Sequence, residues 1–234
     1  MAKTTEATFG AKLANAATLS THLKSFIGYL SPTAETSLEQ YDLLIESIKT
    51  TNGNVISRKA NYSTAVETRL KHFSKEASSV DKLISPILAT VRATLGKSAK
   101  EVATITAIAI KIRGDKTSKA KSADKGNGIS HSELSYGSKT QNFADIVNIL
   151  VGLGANYKPA NDLISITSLQ TKIAEINQAN TVVASSYGAL KVVSDFRNSQ
   201  YEQLAEITQR IKEAVKSQYG VSSVEYQLVK GLKV

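Results

Sequence analysis

A 234-residue chain with no cysteine and a net charge of +9 has neither a disulfide framework nor a cysteine-ligated zinc or iron–sulfur centre. Its length suits one large domain or two of about 100 residues, either of which folds without staples. Tryptophan is absent, phenylalanine is rare and only three prolines occur, a composition that fits long, thin, closely packed helices.

Taken in order, Phe9, Leu13, Ala16, Leu23, Ile27 and Leu30 keep three- and four-residue steps until Ser31-Pro32 stops a first helix. A second is expected from Ala34 to Phe73, bent or ended at Asn52-Gly53-Asn54. A third covers Ser78 to Leu95, with Pro86 as a kink, and Gly96 closes it. Ser98 and Glu101 then have capping-box spacing. From Ile105 to Ile112 β-branched residues alternate, so a short extended segment is expected there, and a similar one over Val224–Val234.

From Arg113 to about Lys139 the chain is rich in Lys, Ser, Gly and Asp and reads as a basic polar linker. The order then recurs. Phe143, Ile146, Val147 and Leu150 mark a first helix, Gly152 to Pro159 a loop, Leu163 to Phe196 a second helix, and Ser199 to Tyr219 a third. Gly220, Ser222 and Glu225 repeat Gly96, Ser98 and Glu101 at a shift of 124. At the same shift Val80, Leu83, Ile87, Val91 and Leu95 fall on Leu204, Ile207, Ile211, Val215 and Tyr219. The expected fold is all-α: two duplicated three-helix units (1–112 and 141–234), joined by a linker over 113–140, forming an elongated helical bundle with short extended segments after each third helix.

Site chemistry is sparse. His22, His72 and His131 are at least 50 residues apart and none is expected to hold a metal. Glu35/Glu39, Glu39/Asp42 and Glu202/Glu206 read as solvated helix faces, and Gly152-Leu153-Gly154 as a helix-ending turn. No catalytic, cofactor-binding or metal-binding residue is assigned. Residues 1–112 carry 14 basic groups against 9 acidic, residues 113–140 carry 6 against 3, and residues 141–234 carry 9 against 8. The linker cations Arg113, Lys116, Lys119, Lys121 and Lys125 are therefore the candidate polyanion contact. Only Tyr136 lies near for base stacking.

Three stretches carry a resemblance: Ile129 to Phe143, Asn156-Tyr-Lys-Pro159, and Val215 to Tyr226 with Val229 to Val234. Over roughly 129–234 the chain resembles a family of uncharacterised α-helical proteins of Bacteroidota. That resemblance implies a bacterial, cytoplasmic protein without an assigned activity, and no residue roles. No signal peptide or membrane span is expected. The functional expectation is a non-enzymatic structural protein that self-associates as a homo-oligomer or polymer, in a filament, tube or sheet. The alternative is a nucleic-acid-associated protein that holds phosphates through its basic first half and linker. No small-molecule substrate is indicated.

Overall fold

The computed structural model describes residues 8–114 and 135–234, and every regular element among them is helical. In chain order these are α1 (Phe9–Ser25), α2 (Leu38–Leu70), α3 (Val80–Leu95), α4 (Lys100–Arg113), α5 (Tyr136–Gly152), α6 (Ile166–Tyr219) and α7 (Val224–Lys230). Short 3-10 turns precede α2 and α6, and a five-residue π turn, Lys71–Lys75, follows α2.

Both expected extended segments are helices. In α4, Val102, Ile105, Ala109 and Ile112 are buried together, because the same β-branched run that alternates at period two also fits a helical face. The hydroxyls of Thr104 and Thr106 bond back to the carbonyls of Lys100 and Val102, which satisfies them without leaving the helix. Val224–Lys230 is likewise helical, capped by the Ser223 hydroxyl, which accepts from the Tyr226 amide. The caps are Ala99 and Ser223, so Ser98 and Ser222 fall one residue before the positions their spacing suggested. Gly96 and Gly220 take φ of 86° and 91°, as expected of residues that end a helix.

Other boundaries also move. Asn52-Gly53-Asn54 lies inside α2, and the two expected helices over 163–219 are the single 54-residue α6. Neither stretch contains proline, and packing on both sides overrides local propensity. α1 stops at Ser25 because Phe26 is extended, which frees Ile27 and Leu30 from the helix. Arg113 is the last residue of α4, not a linker residue, whereas Lys116, Lys119, Lys121 and Lys125 lie outside the described residues.

The compact units cut across the division read from the sequence: one is Met1–Ala60 with Gly188–Val234, the other Asn61–Tyr187. Length is the reason. At 1.5 Å per residue α6 runs about 80 Å, far more than a unit of about 100 residues can use. In the first unit Leu19, Leu23, Tyr41 and Ile48, from early in the chain, pack with Leu204, Ile211, Val215 and Val229, from its end. In the second, Ile84, Ile87, Val91 and Ile105 pack with Phe143, Ile146, Leu150 and Ile176. Each core thus draws on both halves of the sequence.

Two of the buried groups set an alkaline limit. The Tyr41 hydroxyl lies 2.6 Å from Thr208 Oγ1, and burial pushes its pKa up from 10.0 to about 12, against the lowering effect of that bond. Burial pushes Tyr157, which donates to the Ile164 carbonyl at 2.8 Å, up to about 12 as well. Both folded-state values are raised, so their contribution is complete below pH 10 and is lost as pH rises toward about 12. Urea midpoints are expected to hold steady up to pH 10 and then fall steeply, with a shallower fall in Tyr41→Phe. An equal slope in that variant would remove Tyr41 from the account.

Candidate functional site

Three places bear on function, each described within its own unit. The first is where α4 ends. Arg113 Nη2 donates to the Asp81 carbonyl at 2.6 Å and to Ser85 Oγ at 3.0 Å, both on the first turns of α3. These bonds fix the guanidinium beside α3 and make α3 and α4 antiparallel neighbours. Of the five cations expected to meet a polyanion, Arg113 is the one within the described residues. It shares a groove with a second arginine that the sequence reading passed over, Arg92, one turn from the end of α3.

The second place is a charged cluster in the unit of residues 61–187. Lys172 on α6 is only 7% exposed, and its Nζ lies 2.5 Å from Glu175 Oε2 and 3.4 Å from His72 Nδ1. His72 sits in the π turn, where the wider backbone spiral buries Phe73 beside it. Its Nδ1 is 3.5 Å from Glu175 Oε2 and 3.8 Å from Glu76 Oε2. Beside the cluster opens a cavity of about 460 Å³ lined by Asn61, Thr64, Thr68, His72, Glu175 and Gln178, among others. The sequence reading overlooked the His72–Glu76 spacing, an i,i+4 pair. Lys172–Glu175 was legible as an i,i+3 pair, but nothing in the sequence told that Lys172 is buried. Among the described residues His72 bonds no hydroxyl, and the Lys172 ammonium stands between its ring and the Glu175 carboxylate. Among the described residues no group of three or more His, Asp or Glu is placed to hold a metal ion.

In the other unit a neutral pair joins α2 to α6. Gln200 Nε2 donates to Ser47 Oγ at 2.7 Å, and Leu44 stands one turn before Ser47 on α2.

The third place is an apolar end of that same unit. The Tyr219 hydroxyl donates to the Ile27 carbonyl at 3.0 Å, and Gln218 bonds both the amide and the carbonyl of Leu30. These bonds hold the segment after α1 beside the turn between α6 and α7. There Ile27, Leu30, Val221 and Val224 are 94%, 72%, 60% and 71% exposed, with no charged member among the four.

No helix among the described residues is long and apolar enough to cross a membrane. Compared with known proteins, the chain matches no family model, no curated protein and no solved structure.

Proposed function

We propose that the chain is a non-enzymatic structural protein, built by tandem duplication, that self-associates through the apolar end of the unit containing α1 and α7. The observation that carries the association is the cluster of Ile27, Leu30, Val221 and Val224, left in water where a monomer gains nothing from them. At the shift of 124 residues Val221 and Val224 correspond to Lys97 and Lys100, so the duplicated framework does not itself require apolar side chains there. A second copy offers the same apolar side chains, and a two-fold contact sets one such surface against the other. Contacts between unlike ends, in addition, would not close, and would extend the assembly into a filament, tube or sheet. A bacterial cytoplasmic setting belongs to the same proposal.

Several paired details support the duplication. α1 and α5 are both 17 residues long, and the caps Thr8 and Ser135 each accept from the amide three residues on. Arg197 stacks on Phe9 at 4.3 Å, as Arg69 stacks on Tyr136 at 3.8 Å. Those same rings meet Tyr201 at 4.5 Å and Phe73 at 4.9 Å. The 3-10 turns Ala34–Thr36 and Asp162–Ile164 lead into α2 and α6 through Ser37 and Ser165. The four extra residues of the first copy fall at the break between α2 and α3, where α6 runs straight through. On this reading each compact unit joins the start of one copy to the end of the other.

Sedimentation velocity over rising concentration tests the association. The wild type is expected to assemble, and Ile27→Lys/Val224→Lys to stay monomeric with an unchanged melting temperature. A wild-type monomer at every concentration would sink the proposal. The second reading, nucleic-acid association, is favoured by one observation, the shared groove of Arg92 and Arg113.

A further inference from the structure

The groove between α3 and α4 encloses about 540 Å³, the size of a small-molecule site. Among the described residues its polar lining is Arg92, Arg113, Ser85 and Thr106, with no carboxylate. Its floor is apolar: Leu88, Ala109 and Ile110. We infer that this groove binds a small phosphorylated molecule whose apolar body lies on that floor.

The two arginines carry the charge argument. Among the described residues Arg113 is held by the Asp81 carbonyl and Ser85 Oγ through Nη2 alone, which leaves the donors on Nη1 and Nε for a ligand while the guanidinium is already oriented. The Arg92 guanidinium makes no hydrogen bond or ion pair with any described residue, although it lines the same groove. Ser85 and Arg92 are seven residues apart on α3, about 10 Å along its axis, and Thr106 faces the space from α4. Two cations flanking an uncharged strip repel one another when empty, and an anion between them relieves that repulsion. The Ser85 hydroxyl, which accepts from Arg113 and has its own proton to donate, and guanidinium groups that chelate suit the several oxygens of a phosphate, whereas the Thr106 hydroxyl already donates to the Val102 carbonyl.

The floor decides between sources of phosphate. Inorganic phosphate leaves Leu88, Ala109 and Ile110 uncovered. A nucleic-acid strand presents bases that bind by stacking, and among the described residues no aromatic side chain lines the groove. An organic phosphomonoester uses both the charge and the apolar strip. The inference is independent of self-association, whose apolar patch lies at α1 and α7.

The test is calorimetric titration at low salt with naphthyl phosphate, inorganic phosphate and a single-stranded oligonucleotide, into the full chain and Arg92→Gln. Because the Arg92 guanidinium bonds no described residue, that variant is expected to keep the wild-type melting temperature. Naphthyl phosphate is expected to bind one to one, at least tenfold tighter than inorganic phosphate, and to weaken about tenfold in Arg92→Gln. Absence of binding, or equal affinity in Arg92→Gln, overturns the site. Inorganic phosphate binding as tightly as naphthyl phosphate removes the apolar body from the inference. An oligonucleotide that binds more tightly than naphthyl phosphate, with the same dependence on Arg92, replaces this inference with the nucleic-acid reading.

Discussion

Expressed as two separate chains, residues 1–124 and 125–234, the protein is expected to reassemble into one folded particle of one copy of each. Either fragment alone is expected to lose the cooperative melt of the intact chain. The cut falls outside the described residues and severs no described contact, so only the covalent link is lost. Neither core can close without both fragments. In the first unit the early fragment keeps Leu19, Tyr41 and Ile48 but loses Leu204, Ile207, Ile211 and Val215. Burying each such side chain contributes about 1.5–3 kcal/mol, so four together rival the entire stability of an ordinary domain. The second unit fails in the same way, since Phe143, Ile146 and Leu150 belong to the late fragment and Ile84, Ile87 and Val91 to the early one. Circular dichroism melts of each fragment and of the equimolar mixture measure the effect. A fragment that melts alone as a monomer at the wild-type temperature would show that the halves of the sequence, not the compact units, are the folding units.

The sequence made the helices and one stripe legible because those depend on local period. Val80, Leu83, Ile87 and Val91 are buried, as are Leu204, Ile207, Ile211 and Val215. On the proposed duplication, the rest of the internal correspondence is hidden by its changing offset. Thr8 pairs with Ser135 at a shift of 127, Ser37 with Ser165 at 128, and Gly96 with Gly220 at 124, because turns differ in length between the halves. A search at one fixed shift sees only the last segment. Which half packs on which could not be read at all: an amphipathic face states that it needs a partner, not whose. The same holds for the sites. Arg113 was named from its charge, but Arg92 joins it only once α3 and α4 lie side by side, and the π turn that brings His72 to Lys172 has no sequence signature.

Replacing Glu175 by Ala is expected to destabilise the protein by about 3 kcal/mol, the low end for a buried charge that loses its partner. Lys172 keeps its ammonium at 7% exposure, with only the imidazole of His72 at 3.4 Å in reach. The value sits at the low end because the Glu175 side chain is 41% exposed and water screens part of the pair. A triple variant, His72→Gln with Lys172→Leu and Glu175→Ser, is expected instead to fall within about 1 kcal/mol of the wild type. It replaces the three titratable side chains by neutral ones, so that no buried charge is left without a partner. Urea unfolding of the two variants measures the contrast. If the triple variant is as unstable as Glu175→Ala, the charged cluster is needed for the packing of its own unit. If it is as stable as the wild type, stability does not explain why a lysine, a glutamate and a histidine stand together beside a cavity of about 460 Å³. The charge would then answer to whatever that cavity admits.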